Sequence, residues 1–205
     1  MYTPRDYKND NIDEIKNFIQ QNSFGILVVE ADGKITATHI PLELHKNEKS
    51  EDVLCGHISK ANPQWKSFET ANEVLAIFSG PHTYISSSWY DHENVPTWNY
   101  IAAHVYGSIH IMNDDEVLKA LKRLVNKYEK ASKKPVDIDK MTPGYVEKEM
   151  RGVVGFEIKI TKIEAAYKLS QNRDQKNHDS IISELEKKRD SASIAIANEM
   201  KARKK

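Results

Sequence analysis

The segment at residues 80–100, GPHTYISSSWYDHENVPTWNY, concentrates side chains that could hold a ligand. It carries three consecutive serines, two of the three tryptophans, three tyrosines, two prolines and two histidines. A core strand rarely spends three positions on bare hydroxyls, and a disordered linker rarely carries so many aromatic rings. The segment therefore predicts a strand that leads into an ordered loop. Hydroxyl donors beside flat rings favour a planar ligand that carries a phosphate.

Two kinds of side chain in this segment are candidates for such a ligand. Ser86, Ser87 and Ser88 could donate hydroxyl and backbone hydrogen bonds to a phosphate, although serine is also common in a capped turn after a strand. Trp89 and Trp98 could flank a flat ring, although tryptophan more often serves as a packing residue or a subunit anchor. Flavin mononucleotide (FMN) combines a flat ring system with a phosphate and fits this description.

A second group of candidates precedes this segment. Thr38 and His39 lie in ATHIP, at the end of a predicted hairpin strand. Lys60 and Asn62 lie in SKANPQW, where proline favours the start of a short helical turn. Lys60 is the nearest cation for a phosphate, and the alternative interpretation is a solvated surface lysine.

Other kinds of site find little support. The eight histidines form no HxH or HExxH pattern, so we expect no metal site. GxSxG, GxGxxG and GxxxxGK[ST] are all absent from the sequence, and catalytic residues stay unassigned. Cys55 is the single cysteine, in the apolar context VLCGHI. This predicts a buried, inert thiol in a reducing cytoplasm.

Composition limits the possible partners. Hydrophobic residues make up 39% and charged residues 29%, and the formal net charge is zero. Residues 1–100 carry 8 basic and 14 acidic side chains, whereas residues 101–205 carry 22 and 16. No window approaches eighteen apolar residues, which argues against membrane insertion and export and favours the cytoplasm.

Basic residues cluster on a predicted helix at residues 114–131 and in the tail. They could contact DNA phosphates, although a solvated helix face is the commoner meaning of such a cluster. The residues concerned are Lys119, Lys122, Arg123, Lys127, Lys130, Lys133 and Lys134, with Lys187, Lys188, Arg189, Lys201, Arg203, Lys204 and Lys205 in the tail.

Hydrophobic periodicity predicts a mainly β fold with flanking helices. Apolar and alternating runs indicate six or more strands, joined mostly as hairpins, and a helix at each end of this set. Such a set is typical of a closed antiparallel barrel. We expect the barrel domain to cover residues 1–173 and a charged helical extension to cover residues 174–205.

Several motifs together resemble the PaiB group of bacterial proteins, described as FMN-binding negative transcriptional regulators of the FMN-binding split-barrel superfamily. The matching segments are ATHIPL (37–42), GHISKANPQW (56–65), GPHTYISSSWY (80–90), VPTWNY (95–100), HVYG (104–107), EMRGVVGFEI (149–158) and AAYKLSQNR (165–173). The resemblance implies a six-stranded antiparallel split β-barrel and a homodimer with ligand sites at its interface. It also implies repression of protease synthesis and sporulation genes, and a strand around Thr38 that borders the flavin ring.

Two other functions remain open. Pyridoxamine-phosphate oxidases share the split-barrel fold, so the chain could be an FMN-dependent oxidoreductase. His39, His57 and His104 are then the candidate proton donors, because histidine titrates near neutral pH. Some split-barrel relatives degrade haem, for which His178 is the available C-terminal histidine.

Overall fold

The computed structural model describes residues 1–203, and its secondary structure is mainly β with flanking helices, as predicted. The strands are β1 (Lys8–Asn9), β2 (Phe24–Ala31), β3 (Lys34–Pro41), β4 (Glu43–Lys46), β5 (Asp52–Ser59), β6 (Val74–Ile85), β7 (Thr97–Ile111) and β8 (Val153–Lys168). The helices are α1 (Ile12–Gln21), α2 (Asp114–Glu129), α3 (Pro143–Met150), α4 (Gln175–Lys188) and α5 (Ser191–Ala202).

Local sequence accounts for the clearest of these elements. Asn113 and Glu116 form a capping box at the start of α2, in which each side chain accepts a hydrogen bond from the other residue's backbone N–H. The β2–β3 hairpin turns at Asp32 and Gly33, whose φ angles are 53° and 72°. Positive φ at both positions suits the tight turn that the twist of a hairpin requires.

The strands form one sheet in the order β3-β2-β6-β7-β8-β5-β4, with β1 paired to β8. The path ends at β3 and β4, so the predicted closed cylinder is replaced by an open hydrogen-bonded path within residues 1–203. Eight strands occur in this part of the chain where six were predicted. The very short β1 and β4 lack a hydrophobic pattern long enough to be recognised.

The sequence also predicted two strands where the structure has one. The apolar run at residues 74–78 predicts one strand and residues 84–88 continue the β pattern, whereas β6 runs without interruption from Val74 to Ile85. A Cβ at Gly80 would lie 2.5 Å from the Phe18 ring, so packing rather than a turn accounts for this glycine.

Contacts divide the chain into two compact units, each with its own core. The first unit comprises residues 1–18, 78–104 and 164–205, and the second comprises residues 19–77 and 105–163. Large side chains that are fully buried in the first unit include Phe78, Ile85, Leu169, Ile181, Leu185, Ile196 and Met200. Those in the second unit include Ile19, Leu27, Leu42, Leu54, Phe68, Phe156 and Ile158.

Apolar residues of helices α4 and α5 lie in the core of the first unit. Ser193 is buried in α5, and its hydroxyl is 2.9 Å from the hydroxyl of Thr83. Every helix within residues 1–203 is too short or too polar to cross a membrane.

Candidate functional site

The three serines follow the end of β6 and form a capped turn. Ser86 precedes the 3₁₀ turn Ser87–Trp89, and its hydroxyl oxygen accepts a hydrogen bond of 3.2 Å from the Ser88 backbone N–H. The hydroxyls of Ser86 and Ser88 are also 2.8 Å apart. A phosphate would have to compete with these internal hydrogen bonds, so Ser87, which lies half-buried between them, is the serine with the most freedom to bind one.

Trp89 has one ring face covered by a cation. The Lys188 ammonium lies 5.2 Å from the ring centroid and also donates a hydrogen bond of 3.3 Å to the Tyr84 carbonyl oxygen. Ser180 donates a hydrogen bond of 2.8 Å to the Trp89 carbonyl oxygen. A flat ligand could therefore stack only on the opposite face of this indole.

Trp98, on β7, offers a larger free surface. Its side chain is 53% exposed, and its ring lies 5.9 Å from the Tyr84 ring and 6.2 Å from the His82 ring. We call these three residues the aromatic patch. An exposed indole supported by two neighbouring rings is a suitable surface for a planar ligand.

Helix α4 holds the loop that follows the serines. The Asn177 side chain is buried, donates to a carboxylate oxygen of Asp91 at 2.9 Å and accepts from the Asp91 backbone N–H at 3.0 Å. Hydrogen bonds from Lys176, His92 and Asn177 hold the pKa of Asp91 well below its usual range. Next to it lies a cleft of about 290 Å³, whose lining includes the predicted ligand residues Ser88 and Trp89. Its charged lining residues are Asp91, Glu184 and Lys176.

Thr38 and Asn62 contact each other in the second unit. Asn62 donates a hydrogen bond of 3.0 Å from its side-chain amide to the Thr38 hydroxyl oxygen. Its own side-chain oxygen accepts from the Gln64 backbone N–H at 3.0 Å and so caps the 3₁₀ turn Pro63–Ser67. Because the Thr38 oxygen acts as an acceptor here, its hydroxyl proton remains available to a ligand.

His39 and Lys60 are both exposed. The His39 ring stacks on Phe24, with the centroids 6.5 Å apart, and Phe24 is itself 66% exposed. The Lys60 backbone is fixed by hydrogen bonds to Gly152 at 2.8 Å and from the Trp65 indole at 3.0 Å, and its ammonium faces solvent.

The predicted site residues thus form two local groups. Thr38 and Asn62 touch in the second unit, whereas the serines, Trp89 and Trp98 belong to the first. A single pocket that combines both groups stays a prediction.

A cavity of about 200 Å³ lies under α2, where none was predicted from the sequence. Its lining is mainly apolar, with the Glu43–Lys127 ion pair of 2.6 Å at the edge. The residues that line it are Pro41, Glu43, Leu44, His45, Cys55, Gly56, His57, Val117, Ala120, Leu121, Arg123, Leu124, Lys127 and Gly155. Its only sequence signal is the apolar stripe of α2, because the other walls come from separate strands.

Cys55 and His57 are two of the titratable groups of this cavity. Cys55 is buried, as predicted, and burial raises the pKa of its thiol to about 12. Burial also lowers the pKa of His57, so that its imidazole is neutral at pH 7.

The basic residues of α2 are largely paired. Lys127 contacts Glu43 at 2.6 Å, Lys119 lies 3.9 Å from Glu48, and Lys122 contacts Asp139.

In the tail, Lys201 pairs with Glu186, and Arg203 pairs with Glu14. Two more of the predicted tail contacts, Lys204 and Lys205, lie outside the described residues. Because of these ion pairs, the positive electrostatic potential around these residues is weaker than the sequence indicated.

Two solved structures with a similar fold are named as flavin proteins. The FAD and heme binding protein from Mycobacterium smegmatis superposes with a TM-score of 0.59 at 14% identity, over 79% of this chain and 73% of that chain. A flavocytochrome from Azotobacter vinelandii superposes with a TM-score of 0.51 at 16% identity, over 81% of this chain and 72% of that chain. At these identities the likeness concerns the fold, which is of the FMN-binding split-barrel type.

Sequence comparison identifies closer relatives. The family described as "Putative FMN-binding domain" matches residues 1–162. "Protease synthase and sporulation protein PAI 2" of Bacillus subtilis strain 168 is 47% identical over 186 residues, which cover 91% of this chain and 89% of that protein. An uncharacterized protein of Emericella nidulans is 30% identical over 99% of this chain and 97% of its own length. The chain therefore belongs to the PaiB family of the FMN-binding split-barrel superfamily.

Proposed function

We propose that this protein is an FMN-binding negative transcriptional regulator that acts on protease-synthesis and sporulation genes. The observation that carries this proposal is the 47% identity, over 91% of the chain, to a relative named for protease synthesis and sporulation. The match extends across the motifs from which the ligand residues were predicted. Both the ligand and the regulatory role are proposed on this basis.

The described residues offer three features that FMN needs. The exposed Trp98 supplies a flat surface for the isoalloxazine ring. Thr38 retains a hydroxyl proton that could be donated to a ring oxygen or nitrogen, and the exposed Lys60 supplies a cation for the phosphate. His39, Asn62, Trp89 and the serines complete the proposed set. FMN, when bound, supplies hydride and one-electron chemistry, while the protein positions it and excludes water.

A homodimer is part of this proposal, and β3 is its proposed contact. This strand ends the hydrogen-bonded path of the sheet, and residues 34–37 are all exposed. Ile35 is 75% exposed, and Phe24 on the neighbouring strand is 66% exposed. An open strand edge next to exposed apolar side chains is a surface that a second subunit can cover.

DNA contact, if direct, falls in this proposal to the basic residues at the C-terminal end of α2 and in the loop after it. Lys130, Lys133 and Lys134 are exposed and lie beyond the paired positions of the helix. Their contribution would be electrostatic and independent of sequence, so binding should weaken steeply as salt increases. A regulator that acts through a protein partner needs no such contact.

The first experiment is the absorption spectrum and mass of whatever co-purifies with the full-length protein, followed by titration with FMN. We expect stoichiometric FMN with a dissociation constant in the micromolar range or below. A protein that neither retains nor binds FMN at high micromolar concentration would contradict the ligand part of the proposal.

A gel-shift assay with promoter DNA of protease and sporulation genes tests the regulatory part. We expect a salt-sensitive shift that the triple variant Lys130→Ala, Lys133→Ala, Lys134→Ala weakens and the control Lys148→Ala leaves intact. The absence of any shift at micromolar protein would argue against direct repression. Steady oxidation of a reduced nicotinamide by the FMN-loaded protein would favour the oxidoreductase interpretation instead.

A further inference from the structure

Three adjacent strands of the second unit bring together three residues with metal-binding side chains. In the register of the sheet, Cys55 on β5 is directly opposite Glu157 on β8 and directly opposite Glu43 on β4. His45 lies two residues beyond Glu43, and alternate residues of a strand share a face. His45, Cys55 and Glu157 therefore lie on the same side of the sheet, and we call them the three-strand face.

The donor atoms of the three-strand face are close enough to share one ion. The Cys55 sulfur lies 3.6 Å from His45 Nε2 and 3.9 Å from Glu157 Oε2, and all three donor atoms are within 4.8 Å of one another. Ligand atoms around a tetrahedral zinc ion are about 3.4–3.6 Å apart, given bond lengths of about 2.0–2.3 Å. Small side-chain rotations would bring the observed distances to these values.

The surroundings leave room for a fourth ligand. His45 and Cys55 line the cavity of about 200 Å³ under α2, and His45 and Glu157 also line a more open cleft of about 440 Å³. Cys55 is buried, whereas the Glu157 side chain retains 17% of its exposure. Solvent can therefore reach the three-strand face, and a water molecule can occupy the position that the protein leaves open.

We propose that His45, Cys55 and Glu157 form a binding site for a divalent zinc ion. One thiolate, one imidazole and one carboxylate are all common zinc ligands, and the two anionic groups balance the charge of the ion. Calcium and magnesium need several oxygen ligands, of which this site has one carboxylate, so the donor set selects against them. On binding, the Cys55 sulfur loses its proton to solvent and forms the sulfur–zinc bond.

Two further residues adjust this site. His110 Nε2 lies 3.8 Å from the other carboxylate oxygen of Glu157 and can orient that carboxylate. Arg123, an exposed residue of α2, places its guanidinium 3.3 Å from His45 Nε2. Zinc needs this nitrogen and is repelled by the positive charge, so Arg123 must turn away into solvent when the ion binds. Arg123 thus lowers the affinity of the site without taking part in coordination.

The proposal departs from the expectation, drawn from the sequence, that the chain has no metal site. His45 and Cys55 are ten residues apart, and Glu157 follows Cys55 by 102 residues, so the ligands form no motif. Only the pairing of β4, β5 and β8 brings them together. The proposal is independent of FMN binding.

The test uses full-length protein that has been freed of metal by a chelator. Zinc is titrated in competition with a chromophoric chelator, and cobalt(II) is used as a spectroscopic probe. We expect one zinc per chain and a near-ultraviolet thiolate-to-cobalt charge-transfer band. Cys55→Ser, His45→Gln and Glu157→Gln should each weaken zinc binding at least about a hundredfold, and Arg123→Ala should strengthen it about tenfold. The control His92→Gln removes an exposed histidine elsewhere and should leave the affinity unchanged.

Two results would overturn the proposal. One is wild-type protein that gives no thiolate-to-cobalt band at millimolar cobalt, and the other is three ligand variants that bind zinc as tightly as the wild type. Circular dichroism shows whether each variant folds. Should a variant misfold, X-ray absorption of the zinc-loaded wild type decides, because the site requires one sulfur scatterer and a shell without sulfur rejects it.

Discussion

The segment from Ser86 to Trp98 and the three-strand face both hold several side chains that could bind a ligand. The two regions are built in opposite ways. The loop draws its hydroxyls and indoles from thirteen consecutive positions, and its turn is capped by its own first residue. The three-strand face takes one residue from each of three strands, and the chain between Cys55 and Glu157 contributes β6, β7 and two helices.

The difference concerns what the surroundings do to each group. In the loop, some of the predicted ligand groups already have partners within the protein. The hydroxyls of Ser86 and Ser88 hydrogen-bond to each other, and Lys188 covers one face of the Trp89 ring. At the three-strand face, the fold brings together metal-binding side chains that no local sequence pattern groups. Residues that look like a site in the sequence can serve the fold, whereas residues that look ordinary can be assembled into a site.

The largest expected effect comes from disturbing the strands near the three-strand face. A Cβ at Gly107 would lie 2.2 Å from the Lys159 carbonyl oxygen, a backbone atom two residues from Glu157. Gly107→Ala should therefore lower the free energy of unfolding by about 3 kcal/mol, as measured by urea denaturation. Gly144→Ala is the matched control, because nothing lies within 4 Å of the added methyl group. Equal urea midpoints for the two variants would show that the strands adjust at this position.

The loop should be more sensitive to its anchor on α4 than to its own exposed residues. Asn177→Ala removes two hydrogen bonds that hold Asp91 of the loop to α4. We expect a loss of about 2 kcal/mol in unfolding free energy, and faster hydrogen exchange at residues 86–96. The exposed Glu93→Ala is the control. Unchanged exchange in Asn177→Ala would mean that the loop orders itself without α4.

Trp89 in the loop and Trp98 on β7 should differ in their effect on FMN binding. Trp98→Ala removes the exposed indole and should raise the Kd for FMN about tenfold, or about 1.4 kcal/mol. Adding Ser87→Ala should weaken binding further without unfolding the protein. Trp89→Ala should have the smaller effect, because Lys188 already covers one face of that ring. Fluorescence titration of FMN measures all three, and a larger effect of Trp89→Ala would reverse this order.

The smallest effect is a pH dependence from His104 on β7. Burial is the main cause that lowers the pKa of His104, and the nearby N-terminal amine lowers it further, whereas Glu164 acts in the opposite direction. The unfolded chain, with an ordinary histidine pKa of about 6.5, binds more protons between the two pKa values, so stability falls as the pH drops below about 6.5 and levels off below the folded pKa.

The variant His104→Gln should make this part of the stability curve flatter. Urea midpoints measured between about pH 8 and about pH 5 give the slope. His39→Gln, at an exposed position, serves as the control. A slope that His104→Gln leaves as steep as in the wild type would assign the pH dependence to other groups.

Much of the fold could be predicted because its signals are local. The capping box at Asn113 and Glu116, the turn at Asp32 and Gly33, and the apolar runs of the central strands each involve neighbouring residues. Errors arose where packing overrides local preference. The strand segments predicted at residues 74–78 and 84–88 are parts of one continuous strand, and the two-residue β1 is held by its pairing with β8.

The candidate site was predictable only in part, for a related reason. The motifs identify the family, whereas the hydrogen bond between Asn62 and Thr38, which are 24 positions apart, is known only from the structure. Neither the covering of Trp89 by Lys188 nor the pairing of the α2 lysines with acidic side chains could be predicted, because the partners come from distant segments.

The sequence by itself determined the family, the mainly β class, most helix and strand positions, and the types of side chain available for a ligand. These depend on turn chemistry, on periodicity and on motifs, which act over a few residues. Only the tertiary structure decided which hydroxyls remain free, which indole stays exposed, and that His45, Cys55 and Glu157 share a face. The physical reason is strand register: hydrogen bonds between β4, β5 and β8 set which residues are opposite each other, and no short stretch of sequence specifies that pairing.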